Sequence, residues 1–196
     1  MFRRRGAGLL VIALAAAAVF TGTSADGASD RAWPRLSVPL DTAHSLSFSY
    51  PPRWNALGST LATRFVTTQF ALLAFVGNVP LHRPCREVSG PCNPEAVDSL
   101  SPGHVYARWS SVGYAPSRPT SGTTSVTVGG RGGWMLVNRQ GWCRRYGTAR
   151  TLLVFLPAAT DSGALEFDAC LRPPGLKAEQ ATALKILRST AFRTSQ

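Results

Sequence analysis

Along HSLSFSY (44–50), Leu46, Phe48 and Tyr50 alternate with Ser45, Ser47 and Ser49, the period of two that marks a half-buried strand. Pro51-Pro52 ends it, because proline donates no hydrogen bond to a ladder. QFALLAFVG is apolar in both phases, so Phe70 to Val76 reads as a central strand covered from both sides. HVYARWS alternates again, with Val105, Ala107 and Trp109 opposed to Tyr106 and Arg108. SVTVGGRGGWMLVNR reads as two strands around a glycine turn, where a positive φ costs little. TLLVFLP is a further buried run, and ALEFDACLR sets Leu165, Phe167, Ala169 and Leu171 against Glu166, Asp168, Cys170 and Arg172. The short PAATDSG between these two runs makes them an antiparallel pair.

The period then changes. GLKAEQATALKILRST places Leu176, Ala183, Leu184 and Leu187 on one face of a helix over about 176–190. Glu179 in its first turn, and Lys185 and Arg188 in its last, suit the helix dipole. NPEAVDSL reads as a shorter helix with Asn93 as N-cap and Pro94 at the first helical position. Strands flanked by helices predict an α+β domain built on a mainly antiparallel sheet.

The N-terminus carries Arg3, Arg4 and Arg5, an apolar run from Gly8 to Phe20, and then small residues. That is the layout of a secretory signal peptide, 1–25, cleaved after Thr23-Ser24-Ala25. The apolar run is shorter than the roughly 20 residues of a spanning helix, so a retained anchor is the alternative and no permanent span is expected after cleavage. Residues 26–40 read as a flexible leader, and 41–196 as one domain with an extracytoplasmic or secreted location. The leader takes three of the 21 Lys+Arg and none of the ten acids, so the mature chain keeps about +8. Such a charge attracts polyanions, but Arg144-Arg145 is the only adjacent basic pair after cleavage. A basic polyanion-binding surface protein is therefore an alternative, and no specific nucleic-acid binding is expected.

FSYPPRW (48–54) looks like the opening of PsbP-like and Mog-type domains, and EFDACLRPPGLKAEQATALKILRSTAF (166–192) resembles their close of strand, turn, helix and a Ser-Thr-x-Phe-like ending. More narrowly, the chain resembles a group of uncharacterised secreted actinobacterial proteins. The matching pieces are PLHRPC (80–85), Cys92, LSPGHVYARW (100–109), VGGRGGW (128–134), and Cys143 together with the ACLRPP segment at Cys170. The resemblance implies a PsbP-like sandwich, a sheet between helices, in a cell-envelope setting. It implies no reaction, because a fold alone assigns none.

His82, Cys85, Cys92 and His104 are donors of the kind zinc prefers, but their spacing matches no familiar finger or knuckle. Four cysteines in an exported chain favour disulfides, with three possible pairings. The expected one closes the small loop Cys85–Cys92 and leaves Cys143 with Cys170. No metal and no cofactor are expected. His44, His82 and His104 are the histidines, and no Gly-x-Ser-x-Gly elbow accompanies them. Glu166 and Asp168 read as a solvated face beside arginines rather than a glycosidase pair. GGRGG lacks the Lys-Ser/Thr ending of a phosphate loop and does not lead into a helix. Trp54, Trp109, Trp134 and Trp142 read first as core.

The favoured reading is a secreted, disulfide-stapled, non-catalytic binding or accessory module of the bacterial cell envelope. Its candidate partners are a cell-wall polymer or an envelope protein. Arg108, Trp109, Trp142, Arg144 and Arg145 form the candidate binding surface, since Trp beside Arg is common in recognition hot spots. The alternative of another class is an exported hydrolase or metal-dependent enzyme built on His82, His104 and neighbouring acids.

Overall fold

Each alternating run is a strand in the computed structural model, which describes residues 32–60, 66–67, 70–84, 93–114, 116–138, 141–157 and 163–194. In chain order these are β1 (Arg35–Pro39), β2 (His44–Ser49), β3 (Asn55–Gly58), β4 (Val66–Thr67), β5 (Phe70–Gly77), β6 (Val105–Val112), β7 (Thr123–Val128) and β8 (Arg131–Asn138). A 3-10 helix (Trp142–Tyr146) follows, then β9 (Arg150–Pro157), β10 (Ala164–Leu171), α1 (Leu176–Arg188) and β11 (Ala191–Thr194). The large sheet runs β3-β5-β6-β10-β9-β8-β7, with β4 also paired to β5, and the small sheet runs β1-β2-β11. All pairs are antiparallel.

One face of the large sheet carries the main core. Val105, Ala107 and Trp109 of β6 and Leu165, Phe167, Ala169 and Leu171 of β10 meet Leu46 and Phe48 of β2 and Ala183, Ile186 and Leu187 of α1. Both the small sheet and the helix therefore lie on this face. The opposite face is also buried: Leu72, Phe75, Tyr106 and Cys170 pack under Ala96, Val97 and Leu100 and under Cys143 and Tyr146 of the 3-10 helix. A disulfide between Cys143 and Cys170, Cα atoms 5.4 Å apart, fastens that helix to β10. Gly129 and Gly130, with φ of 55° and 80°, make the β7–β8 turn, where both central residues need the left-handed region.

The balanced α+β sandwich with flanking helices is overturned. Of the described residues, 47% are strand and 13% helical, with one α-helix on one side only. The expected helix at NPEAVDSL is irregular chain. Asn93 Oδ1 accepts the Glu95 N–H at 3.1 Å, forming a local turn instead of a cap, while the Glu95 side chain is drawn onto the sheet. An irregular cover replaces the second helical layer because it must deliver polar groups to a polar sheet face. The end of the expected flexible leader is also strand, since β1 pairs with β2 across five positions. The signal peptide, the rest of the leader to Arg31, and the Cys85–Cys92 pair lie outside the described residues.

Two outcomes test this packing. A Cβ on Gly133 would stand 2.2 Å from the Phe155 carbonyl oxygen, whereas one on Gly132 would meet nothing within 4 Å. Gly133→Ala should lower unfolding stability by about 1–3 kcal/mol in a urea titration. Gly132→Ala should shift it by less than about 1 kcal/mol, in the stabilising direction. Cys143→Ser with Cys170→Ser should lose about 3–4 kcal/mol, as for a loop of 27 residues released in the unfolded chain.

Candidate functional site

Register builds a charged cluster on the covered face. Tyr106, Arg108 and Ser110 of β6 face the same way as Cys170, Asp168 and Glu166 of β10, with Arg108 directly opposite Asp168. Arg108 Nε donates to Asp168 Oδ2 at 3.1 Å, its Nη1 donates to Glu95 Oε1, and its Nη2 stands 4.0 Å from Glu166 Oε1. Tyr106 donates its hydroxyl proton to Glu95 Oε2 at 2.8 Å and accepts the Ala96 N–H at 3.3 Å. Arg145 Nη2 lies 3.3 Å from Glu95 Oε1 and donates to the Tyr146 hydroxyl at 2.7 Å. Both guanidiniums lie over the Trp142 ring, Arg108 at 3.8 Å and Arg145 at 5.3 Å from its centroid.

Burial is deep: Asp168 is 0%, Glu95 3%, Arg108 7% and Glu166 8% exposed. Burial alone disfavours the Arg108 cation, but the charges of Asp168 and Glu95 more than offset this and hold it protonated. Glu166 is pushed up to about 9, first by burial and then by a hydrogen bond to Asp168 and that residue's charge. Glu166 therefore stays protonated at neutral pH. Burial and the Glu95 charge also push the Tyr106 phenol far above its ordinary value and the Tyr146 phenol up to about 12. With Glu166 neutral, Arg108 and Arg145 balance Glu95 and Asp168. The cluster closes on itself electrically.

The residues expected to form one binding surface are divided. Trp109 is wholly buried in the core on the other face, tilted against Phe167, because alternation sends neighbours 108 and 109 to opposite sides. Arg108 is enclosed, so it also forms no surface. Trp142 and Arg145 join it from the 3-10 helix, and Arg144 is exposed. Glu166 and Asp168 are not a solvated face. The sequence reading missed Glu95. Its signal was present in one respect: Arg108 and Asp168 each sit on the polar phase of a strand, and pairing those strands creates a charge cluster that needs more ligands.

A separate cleft of about 340 Å³ opens between residues 79–82 and 97–104. Asn78 holds its walls together, accepting from the Val105 N–H at 2.6 Å and donating to the Gly103 carbonyl at 3.2 Å. Pro80, Leu81 and Val97 give it apolar lining, and His82, Asp98, Ser101 and His104 give it polar lining. His82 Nε2 lies 3.3 Å from Asp98 Oδ1, and its Nδ1 lies 3.3 Å from the Arg83 carbonyl oxygen. His104 Nδ1 is enclosed without a hydrogen-bond partner. The sequence reading weighed His82 and His104 as zinc donors with Cys85 and Cys92 and set that aside for disulfides; both of these cysteines lie outside the described residues. His44 lies elsewhere, bonded to Asp41 at 2.9 Å.

No protein family, curated protein or solved structure matches the chain.

Glu166 supplies a pH test. Its folded value is raised from 4.5 to about 9, so its contribution to stability is fully present below pH 4.5 and lost as pH rises towards 9. Chemical denaturation of the wild-type protein across that window should show stability falling relative to Glu166→Gln, in which this slope is absent. Arg108→Met should cost about 3–5 kcal/mol at neutral pH, because it leaves buried acids without their cation.

Proposed function

We propose that the protein is an exported, disulfide-stapled binding or accessory module of the bacterial cell envelope, with no chemistry of its own. The observation that carries this reading is the fate of the reactive groups. Arg108 and Arg145 are engaged by Glu95 and Asp168, with Glu166 protonated beside them, beneath Trp142, and the group serves to attach a cover to a sheet. Both ring nitrogens of His82 face oxygen atoms, which leaves neither free to take a proton from a serine. The Cys143–Cys170 bridge suits an oxidising compartment. The basic charge is also partly spent inside: Arg150 bonds Gln180, and Arg172 bonds the Leu100 and Tyr146 carbonyls. That weakens the polyanion reading, which counts every arginine as surface.

The hydrolase reading retains one supporting observation, the presence of Ser99, Ser101 and His104 in the same cleft. A fluorophosphonate probe separates the two. The exported protein should stay unlabelled while showing saturable retention on purified cell walls. Stoichiometric labelling at Ser99 or Ser101, lost in His104→Ala, would overturn the non-catalytic reading.

A further inference from the structure

We propose that the cleft between residues 79–82 and 97–104 binds an uncharged, hydroxyl-rich small molecule of sugar size. This rests on the binding-module reading and names its ligand class.

The lining decides the class. At about 340 Å³ the cleft falls at the small end of ligand pockets. Among the described residues no Lys or Arg lines it, so there an anion would meet no cationic partner. The carboxylate among its described lining, Asp98, is already faced by His82 at 3.3 Å and by Asn93 Nδ2 at 3.0 Å, so a cation would have to displace both and approach a basic protein. A neutral ligand meets neither obstacle. Pro80, Leu81 and Val97 offer aliphatic surface, while Asp98 accepts hydrogen bonds and Ser101 and His104 donate or accept them. A molecule with a C–H face and a hydroxyl edge matches both.

His104 adds a further contact. It lines the cleft and its ring makes no hydrogen bond among the described residues, so Nε2 is the atom that would meet a ligand hydroxyl, Nδ1 being enclosed. The site is also held open by polar contacts outside it: Asn55 Nδ2 donates to the Val79 carbonyl at 2.7 Å and the His82 N–H to the Ala96 carbonyl at 3.0 Å. These contacts fix the lining before any ligand arrives.

The test is an amide NMR titration of the full exported chain with glucose and N-acetylglucosamine, with glucosamine and glucose 6-phosphate as charged controls. Saturable shifts confined to the amides around Leu81, Asp98 and His104 are expected, with the neutral sugars binding more tightly than the charged ones. Asp98→Ala should weaken binding at least tenfold, and Leu81→Trp, which fills the cleft from a partly exposed position, should abolish it. Arg53→Ala, an exposed change between β2 and β3, should leave it unchanged. Loss of cell-wall retention in Leu81→Trp, with competition by free sugar, assigns the ligand to a wall polysaccharide; sugar binding without wall retention assigns it to a free sugar. No shift with either neutral sugar, shifts that survive Leu81→Trp, or tighter binding of a charged control overturns the proposal. Wall retention that persists with an unresponsive cleft leaves the module reading standing, and the absence of both removes the two together.

Discussion

A guanidinium at 7% exposure is tolerated only where acids and ring faces replace its lost water. Arg108 meets that requirement with groups from four separate parts of the chain: Asp168 from β10, Glu95 from the cover, Trp142 from the 3-10 helix and Phe70 from β5. Each must arrive for the charge to be satisfied, so the requirement acts as a register condition. A slip of β6 against β10 by one residue would place Trp109 among the acids and Arg108 in the apolar core. The loss at such a slip, more than any net gain from the ion pairs, is what the cluster contributes.

The same requirement explains why one face of the sheet lacks a helical layer. An amphipathic helix presents a stripe of apolar side chains, which suits the face bearing Val105, Ala107 and Trp109. The face bearing Arg108 and Asp168 needs a carboxylate, a tyrosine hydroxyl and an indole at set positions. An irregular segment with local turns at Asn93 and a bridged 3-10 helix can deliver them. The cleft is a by-product of this construction, since it opens where the irregular cover, held to the sheet by Asn78, does not close completely.

Local patterns made much of the fold legible. The alternation in HSLSFSY, HVYARWS and ALEFDACLR places β2, β6 and β10, and its apolar phase supplies the main core. The change of period at 176 places α1, and the double glycine places the β7–β8 turn. What could not be read was non-local. Alternation says that Arg108, Glu166 and Asp168 share a polar phase, but water and a neighbouring strand look alike in the sequence. Only the packing of Ala96, Val97, Leu100 and the 3-10 helix over that face shows that this phase is enclosed. NPEAVDSL failed for a related reason, because its helix-start residues also form a turn and the position of Glu95 depends on a partner thirteen residues away. The spread of Trp109 and Arg108 to opposite faces was available from the pleat and outweighs their proximity in sequence.

The large sheet thus separates two layers that respond differently to temperature. The helix side is held by hydrocarbon burial, whose strength declines on cooling. The cover side adds to a smaller apolar cluster a set of enclosed charges, whose desolvation penalty declines on warming. Cooling therefore erodes the layer that carries α1 and the small sheet, while warming eases the cost of keeping Arg108 and its acids dry. Between them the pleated wall of β5, β6, β10 and β9 is common to both, so the strands that join the layers are braced at each extreme by the one least affected.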